Sequence, residues 1–383
     1  MKKHFLSLLS AITLMSSQTF SQITPVPNGR KVQVAILFDT SNSMDGLIDQ
    51  AKAKIWNIIN EMSGLRYQGQ VPTIEIALYD YGNSGLSEAD NYVRQQLALT
   101  TDLDMISQKL FGLTTNGGNE YCGAVIQKSL QDLNWSANPL DLKMIYIAGN
   151  EPFNQGTIAY KEVCTTASGR NIFVNTIYCG DYDQGIREFW KDCASLSKGD
   201  YFNINSNAAV VHIDTPYDQV INSYNDSLNR TYYGYGVIGE SRKNNQLAQD
   251  ANAASESISV QTERSIVKSK SAYTNESWDL IDAVDKGGKD ITKMQDEELP
   301  EEFKGKSDAE KVELLQEKKE ERERYQKKIA ELAVERQNYI TTEKAKRTDL
   351  VKDDFGTSVN ESLMKRAQEI GYQKENKEQA PPK

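Results

Sequence analysis

The chain has 383 residues, with 44 Lys and Arg against 54 Asp and Glu, and a formal charge of −10. That length accommodates one large core plus a second region, or two domains. Such an acidic surface excludes a generic nucleic-acid binder, because attraction to phosphate needs a basic face, and the first two thirds carry no Arg/Lys patch with interleaved aromatics.

The chain opens MKKHFLSLLSAITLMSSQTFSQ, with Lys2 and Lys3 ahead of an apolar run from Phe5 to Met15. This has the form of a secretory signal over residues 1–21, with Thr19 and Ser21 placed for cleavage before Gln22. The run is too short to span a bilayer, and no later stretch reaches that length. No cysteine follows it, which argues against a bacterial lipid anchor there. A secreted or periplasmic protein without a membrane span is expected, with residues 22–30 as a linker.

Val32 to Phe38 is apolar at nearly every position, as in a central strand covered on both faces. It ends at Asp39, after which Ser41 and Ser43 alternate along a short turn. A helix follows, with Leu47, Ile48, Ala51, Ile55, Ile58, Ile59 and Met62 on one face and Gly64 as its stop. Strands are then predicted at Thr73–Tyr81, Tyr92–Leu99 (an edge), Lys143–Ala148, Asn171–Tyr178 and Tyr201–Ile204. Helices are predicted at Leu103–Leu113, Glu120–Leu133, through Tyr160 and Cys164, over Tyr182–Leu196, and after Thr215-Pro216 to a domain end near Arg230. Strands alternating with helices predict an α/β fold, a doubly wound and mostly parallel sheet flanked by helices, over residues 31–230. Ligands of such sheets bind at the carboxyl ends of the strands, where Asp39 and Asn150 fall.

Cys122, Cys164, Cys179 and Cys193 are an even set, which in an exported protein favours disulfides, with three pairings open. Zinc is the lesser reading, since there is no C-x-x-C pair and His212 is the one histidine past the signal.

Beyond Tyr232 the composition changes, and a mainly α-helical C-terminal region is expected. Residues 231–296 read as a linker with helical segments, weakly patterned over 241–272, with Trp278, Leu280, Ile281 and Val284 available to dock on a core. Residues 297–346 read as a long charged helix. Glu320 with Arg324 and Glu323 with Lys327 have the spacing of an exposed face, and the heptad seam is too polar for a coiled-coil dimer. Residues 347–383 read as a tail, disordered at its ENKEQAPPK end.

The D-T-S-N-S run of Asp39, Ser41 and Ser43 can converge one carboxylate and two hydroxyls on a point, as hard cations require, or can simply cap the next helix. With the later GGNE and GNEPF loops in the right order, residues 31–230 resemble the von Willebrand factor type A (VWA) domain family and its metal-ion-dependent adhesion site. The resemblance implies a divalent cation, Mg²⁺ before Mn²⁺ or Ca²⁺, that docks a Glu or Asp of a partner protein. It also implies a threonine near the Gly-Gly turn and an Asp after a later strand. Thr115 fits the first role by its hydroxyl, and Asn119 stands where many family members place the threonine; Asn150 occupies the Asp position, followed by Glu151. With Asn150 replacing a carboxylate, the cation would be held less tightly and would grip a partner's acid harder, unless Glu151 restores the charge.

The expected function is therefore a protein-binding module without catalytic activity. An envelope scaffold acting through the C-terminal helix is the second reading, and a metal-dependent hydrolase the third. The haloacid-dehalogenase pattern would need an Asp at Ser41, and neither a phosphate loop nor a dinucleotide turn occurs. A Ser-His-Asp triad would have to use His212.

Overall fold

The computed structural model of the protein describes residues 29–45, 47, 48, 56, 58–204, 213–346 and 355–374. The signal over 1–21, Ala51 and Ile55 of the first helix, His212 and the ENKEQAPPK end lie outside them.

Six strands form one sheet: β1 (Lys31–Asp39), β3 (Thr73–Tyr81), β4 (Val93–Thr100), β5 (Leu142–Gly149), β6 (Phe173–Cys179) and β7 (Tyr201–Ile204), in the order β4-β3-β1-β5-β6-β7. All neighbours are parallel except β4, which runs antiparallel at the edge. The doubly wound α/β expectation is met. β1 is central because it is apolar on both faces: Val32, Val34, Ile36 and Phe38 face one core and Ala35 and Leu37 the other. Its neighbour β3 lies on one side and β5 on the other, so the winding reverses at β1, and the carboxyl ends of β1 and β5 are where sheets of this kind bind ligands.

One face of the sheet is covered by the helices Cys122–Asp132, Tyr160–Gly169 and Trp190–Leu196. The expected helix over Tyr182–Leu196 is two, Tyr182–Arg187 and Trp190–Leu196. Phe189 between them has φ of 71°, and this left-handed residue breaks the helical path. Of the cysteines, Cys164 and Cys193 form a disulfide, tying two of these helices together, while Cys122 and Cys179 are buried thiols. Those two belong to the cores on opposite faces of the sheet, so the even count does not become two bridges.

The other face is covered by helix Leu103–Phe111 and by the C-terminal region, which shares one core with the sheet through Tyr232, Ile266, Val267, Trp278 and Ile329. The weakly patterned segment forms two full helices, Gly239–Glu256 and Ile258–Lys268. The tail is also more ordered than its composition suggests. Phe355–Glu369 is a helix whose Phe355, Val359, Leu363 and Ala367 enter the same core, and β8 (Tyr372–Lys374) pairs antiparallel with β2 (Leu65–Tyr67). The Tyr372 hydroxyl donates to the Lys31 carbonyl at 2.8 Å, at the start of β1.

The long helix, Asp308–Lys346, is not simply solvated. Buried Arg322 donates to both carboxylate oxygens of Asp279, at 2.7 and 2.9 Å, and to Thr231. Two turns on comes Ile329, and two further turns on buried Arg336 binds Asp218 at 2.6 Å and Glu263. The preceding pair of helices is held similarly: Arg264 binds Asp104 at 2.6 Å and Asp250 at 2.7 Å, and Lys268 also binds Asp250 at 2.7 Å. Each cation is matched and hydrogen-bonded, which is the condition for charge to be tolerated inside a protein.

Two outcomes are expected. Arg322→Met leaves Asp279, fully buried, without its cation and should lower unfolding free energy by about 3–5 kcal/mol, measured by urea titration. Burial alone would raise the pKa of Asp250, but Lys268 and Arg264 outweigh it and hold the carboxyl well below its usual range. Its stabilisation is thus complete above the unfolded carboxylate value of about 4 and lost as pH falls below it. Urea titrations in this acid range should show a shallower loss for Asp250→Asn than for the wild type, and parallel profiles would count against the assignment.

Candidate metal centre

Asp39 ends β1 at the reversal point, with no exposed surface. Its Oδ1 accepts the Ser41 backbone N–H at 2.8 Å, while its Oδ2 is buried with no hydrogen-bond partner. An unpaired buried carboxylate oxygen is costly and calls for a proton or a cation. A short 3₁₀ turn, Asn42–Met44, follows, and Ser41 at its N-cap makes no side-chain cap bond. Its hydroxyl is thereby not spent on capping that turn; most of the first turns of the helix that follows lie outside the described residues.

The Ser41 hydroxyl joins a relay of oxygens. The Ser43 hydroxyl donates to Asn150 Oδ1 at 2.8 Å, so in the 2.8 Å bond between the two serines Ser41 is the donor. Asn150 returns a bond from its Nδ2 to the Ser43 carbonyl, 2.8 Å. Asp39, Ser41, Ser43 and Asn150 are thus brought together, each by the end of a strand or the turn beyond it.

The neighbouring loops are pinned to the strand ends. Thr40 N–H donates to the Tyr81 carbonyl at 2.9 Å and Asn116 N–H to the Thr40 carbonyl at 3.0 Å. The Asn150 loop rests on Trp190, whose indole N–H donates to the Glu151 carbonyl at 2.8 Å and whose ring meets Phe153 edge-on at 4.8 Å. Two glycines leave room for the Asp39 carboxylate. A Cβ at Gly149 would sit 2.9 Å from Asp39 Oδ2 and 2.6 Å from the Tyr81 hydroxyl; one at Gly82, where φ is +78°, would sit 2.9 Å from Asp39 Oδ1 and 3.0 Å from Glu120 Cγ.

The remaining sequence candidates are placed unevenly. Thr115 turns its hydroxyl to the Asp45 carboxylate, and Asn119 is exposed. Glu151 is partly exposed, and burial and then the charge of Glu188 raise its pKa. Sequence reasoning missed Glu120, which is 6% exposed; the available signal was an acid directly before the helix that the glycines open.

Burial pushes the pKa of Asp39 up to about 7 against the opposing bond from Ser41, with the charge of Glu151 adding to the rise. Burial, then the charges of Asp39 and Glu151, push Glu120 up to about 7. Among the described residues no group of three His, Cys, Asp or Glu is close enough by itself to hold a metal ion. Any cation here must also use hydroxyl or amide oxygen, a hard donor set suited to Mg²⁺, Mn²⁺ or Ca²⁺.

Neither a protein-family model nor a curated protein matches the chain. Solved structures with a similar fold include the conserved hypothetical protein BatB of Bacteroides thetaiotaomicron, at 16% identity over 45% of this chain and 90% of that one, TM-score 0.35. The SpRpn10 VWA domain is similar at 17% identity over 47% and 90%, TM-score 0.37. Proximal thread matrix protein 1 of the mussel byssus, described with a zinc-occupied MIDAS motif, is similar at 11% identity over 47% and 43%, TM-score 0.34.

Gly149→Ala should cost about 1–3 kcal/mol in chelator through overpacking against the Asp39 carboxylate and Tyr81. Gly169→Ala, where the added methyl meets open space, serves as the control. Equal thermal midpoints for the two variants would refute so tight a cradle.

Proposed function

We propose that this chain is an exported, non-enzymatic protein-binding module of the VWA type, which engages an acidic side chain of a partner through a divalent cation seated above β1 and β5. The single observation that carries the reading is the orphaned Oδ2 of a wholly buried Asp39, at the carboxyl end of β1 in the loop cluster that also holds the bonded hydroxyls of Ser41 and Ser43. A divalent cation, Mg²⁺ before Mn²⁺ or Ca²⁺, would supply a concentrated positive charge with coordination positions open to an outside oxygen.

The chain's own residues divide the work. Asp39 offers its unpaired oxygen from the rigid end of the central strand, held in orientation by the Ser41 N–H. Ser41 and Ser43 offer hydroxyl oxygens from the turn beyond β1, and Asn150 holds Ser43 by bonding its hydroxyl and its carbonyl at once. Trp190 keeps the Asn150 loop seated. The binding reading is supported against the haloacid-dehalogenase pattern, which would need an Asp where Ser41 stands. The charged C-terminal helix is committed to the body through Arg322 and Arg336, which favours the strand-end loops over that helix as the binding element.

Calorimetric titration with Mg²⁺ and Mn²⁺ tests the reading: the wild type should bind one equivalent and Asp39→Ala none. Capture of partners from envelope extract should be lost on adding EDTA. Equal cation binding by wild type and Asp39→Ala would reject the proposal.

A further inference from the structure

Resting on that reading, we infer that Glu120 supplies a second carboxylate to the cation site, in the role for which the sequence pattern offered a hydroxyl from Thr115 or an amide from Asn119. Thr115 bonds Asp45, and Asn119 is exposed. Glu120 instead is buried and turned inward, and it shares with Asp39 the space that Gly82 leaves free. A Cβ there would meet Asp39 Oδ1 at 2.9 Å and Glu120 Cγ at 3.0 Å. The helix that begins at Cys122 fixes the position of Glu120, and the Ser84 N–H bond to the Gly117 carbonyl fixes the loop before it.

Charge makes the same point independently. The buried acids that anchor the C-terminal region have buried bases: Asp279 has Arg322, Asp218 has Arg336, and Asp104 has Arg264. Among the described residues, no Lys or Arg forms an ion pair with Asp39, Glu120 or Glu151. Two adjacent buried carboxylates without a base destabilise the fold in their charged form unless protons or an external cation compensate them. A dication balances the two charges and gains a second anionic ligand, which restores the carboxylate that Asn150 lacks.

Glu120→Gln keeps the side chain's shape and removes its charge. Mn²⁺ titration by calorimetry at pH 8 should show affinity reduced by about tenfold or more. In EDTA the same variant should melt at or above the wild-type temperature, because a buried charge has gone. Weakened Mn²⁺ binding with unimpaired metal-free stability is a combination that a merely structural glutamate does not produce. Wild-type Mn²⁺ affinity in Glu120→Gln, with Asp39→Ala inactive, would overturn the role of Glu120 and leave the site standing. Weaker binding accompanied by a lower melting temperature in EDTA would also overturn it. If wild type and Asp39→Ala bind Mn²⁺ alike, or neither binds, the site itself fails and this inference with it. Should Glu120→Gln not fold, Glu120→Asp serves: reduced Mn²⁺ affinity supports the assignment, and an unchanged value overturns it.

Discussion

A single buried carboxylate sets the terms for the upper end of this molecule. Asp39 ends a strand whose two faces are both covered, so water cannot reach the group from below, and the strand cannot slide without moving its entire pattern of side chains into the wrong core. The surrounding glycines, the Ser41 N–H and the pinned loops all follow from keeping that group in place. The fold tolerates a local electrostatic penalty because it is concentrated at one point and supported by a large apolar base. Sites of function are where such local penalties are expected to be found.

A different solution applies to the lower-lying charges. The region after Tyr232 adds buried ion pairs to the apolar core it shares with the sheet: Arg264 and Arg336 reach Asp104 and Asp218 of the preceding domain, and Arg322 reaches Asp279 within the region. These contacts are directional, so they define how the long helix lies as well as whether it stays bound. The C-terminal helices thereby act as a cover for one face of the sheet. Without them the sheet would expose the apolar surface that Ile266, Val267 and Trp278 cover.

How much of this was legible in sequence depended on the kind of signal. The parallel sheet could be read because apolar runs such as Val32–Phe38 and Lys143–Ala148 need cover on both faces. The convergence of Asp39, Ser41, Ser43 and Asn150 followed from their positions at strand ends. What escaped was information held in three dimensions. The buried arginines look in sequence like any other members of a charged helix, because exposure is decided by the partner surface. Helix Phe355–Glu369 did carry a period, in Phe355, Val359, Leu363 and Ala367, but polar neighbours diluted it. The break at Phe189 had no glycine or proline to announce it. Glu120 looks in sequence like any acid ahead of a helix, and only the geometry at Gly82 brings its side chain beside Asp39.

The pairing of β8 with β2, and the Tyr372 bond to the Lys31 carbonyl, bring residues 372–374 back beside the first residues of β1. Both ends of the described body therefore emerge at one pole. Asp39 lies at the other, about 26 Å away along the strand. A probe attached at Arg30 or Lys374 would therefore sit a full strand length from Asp39 and leave the strand-end loops uncovered.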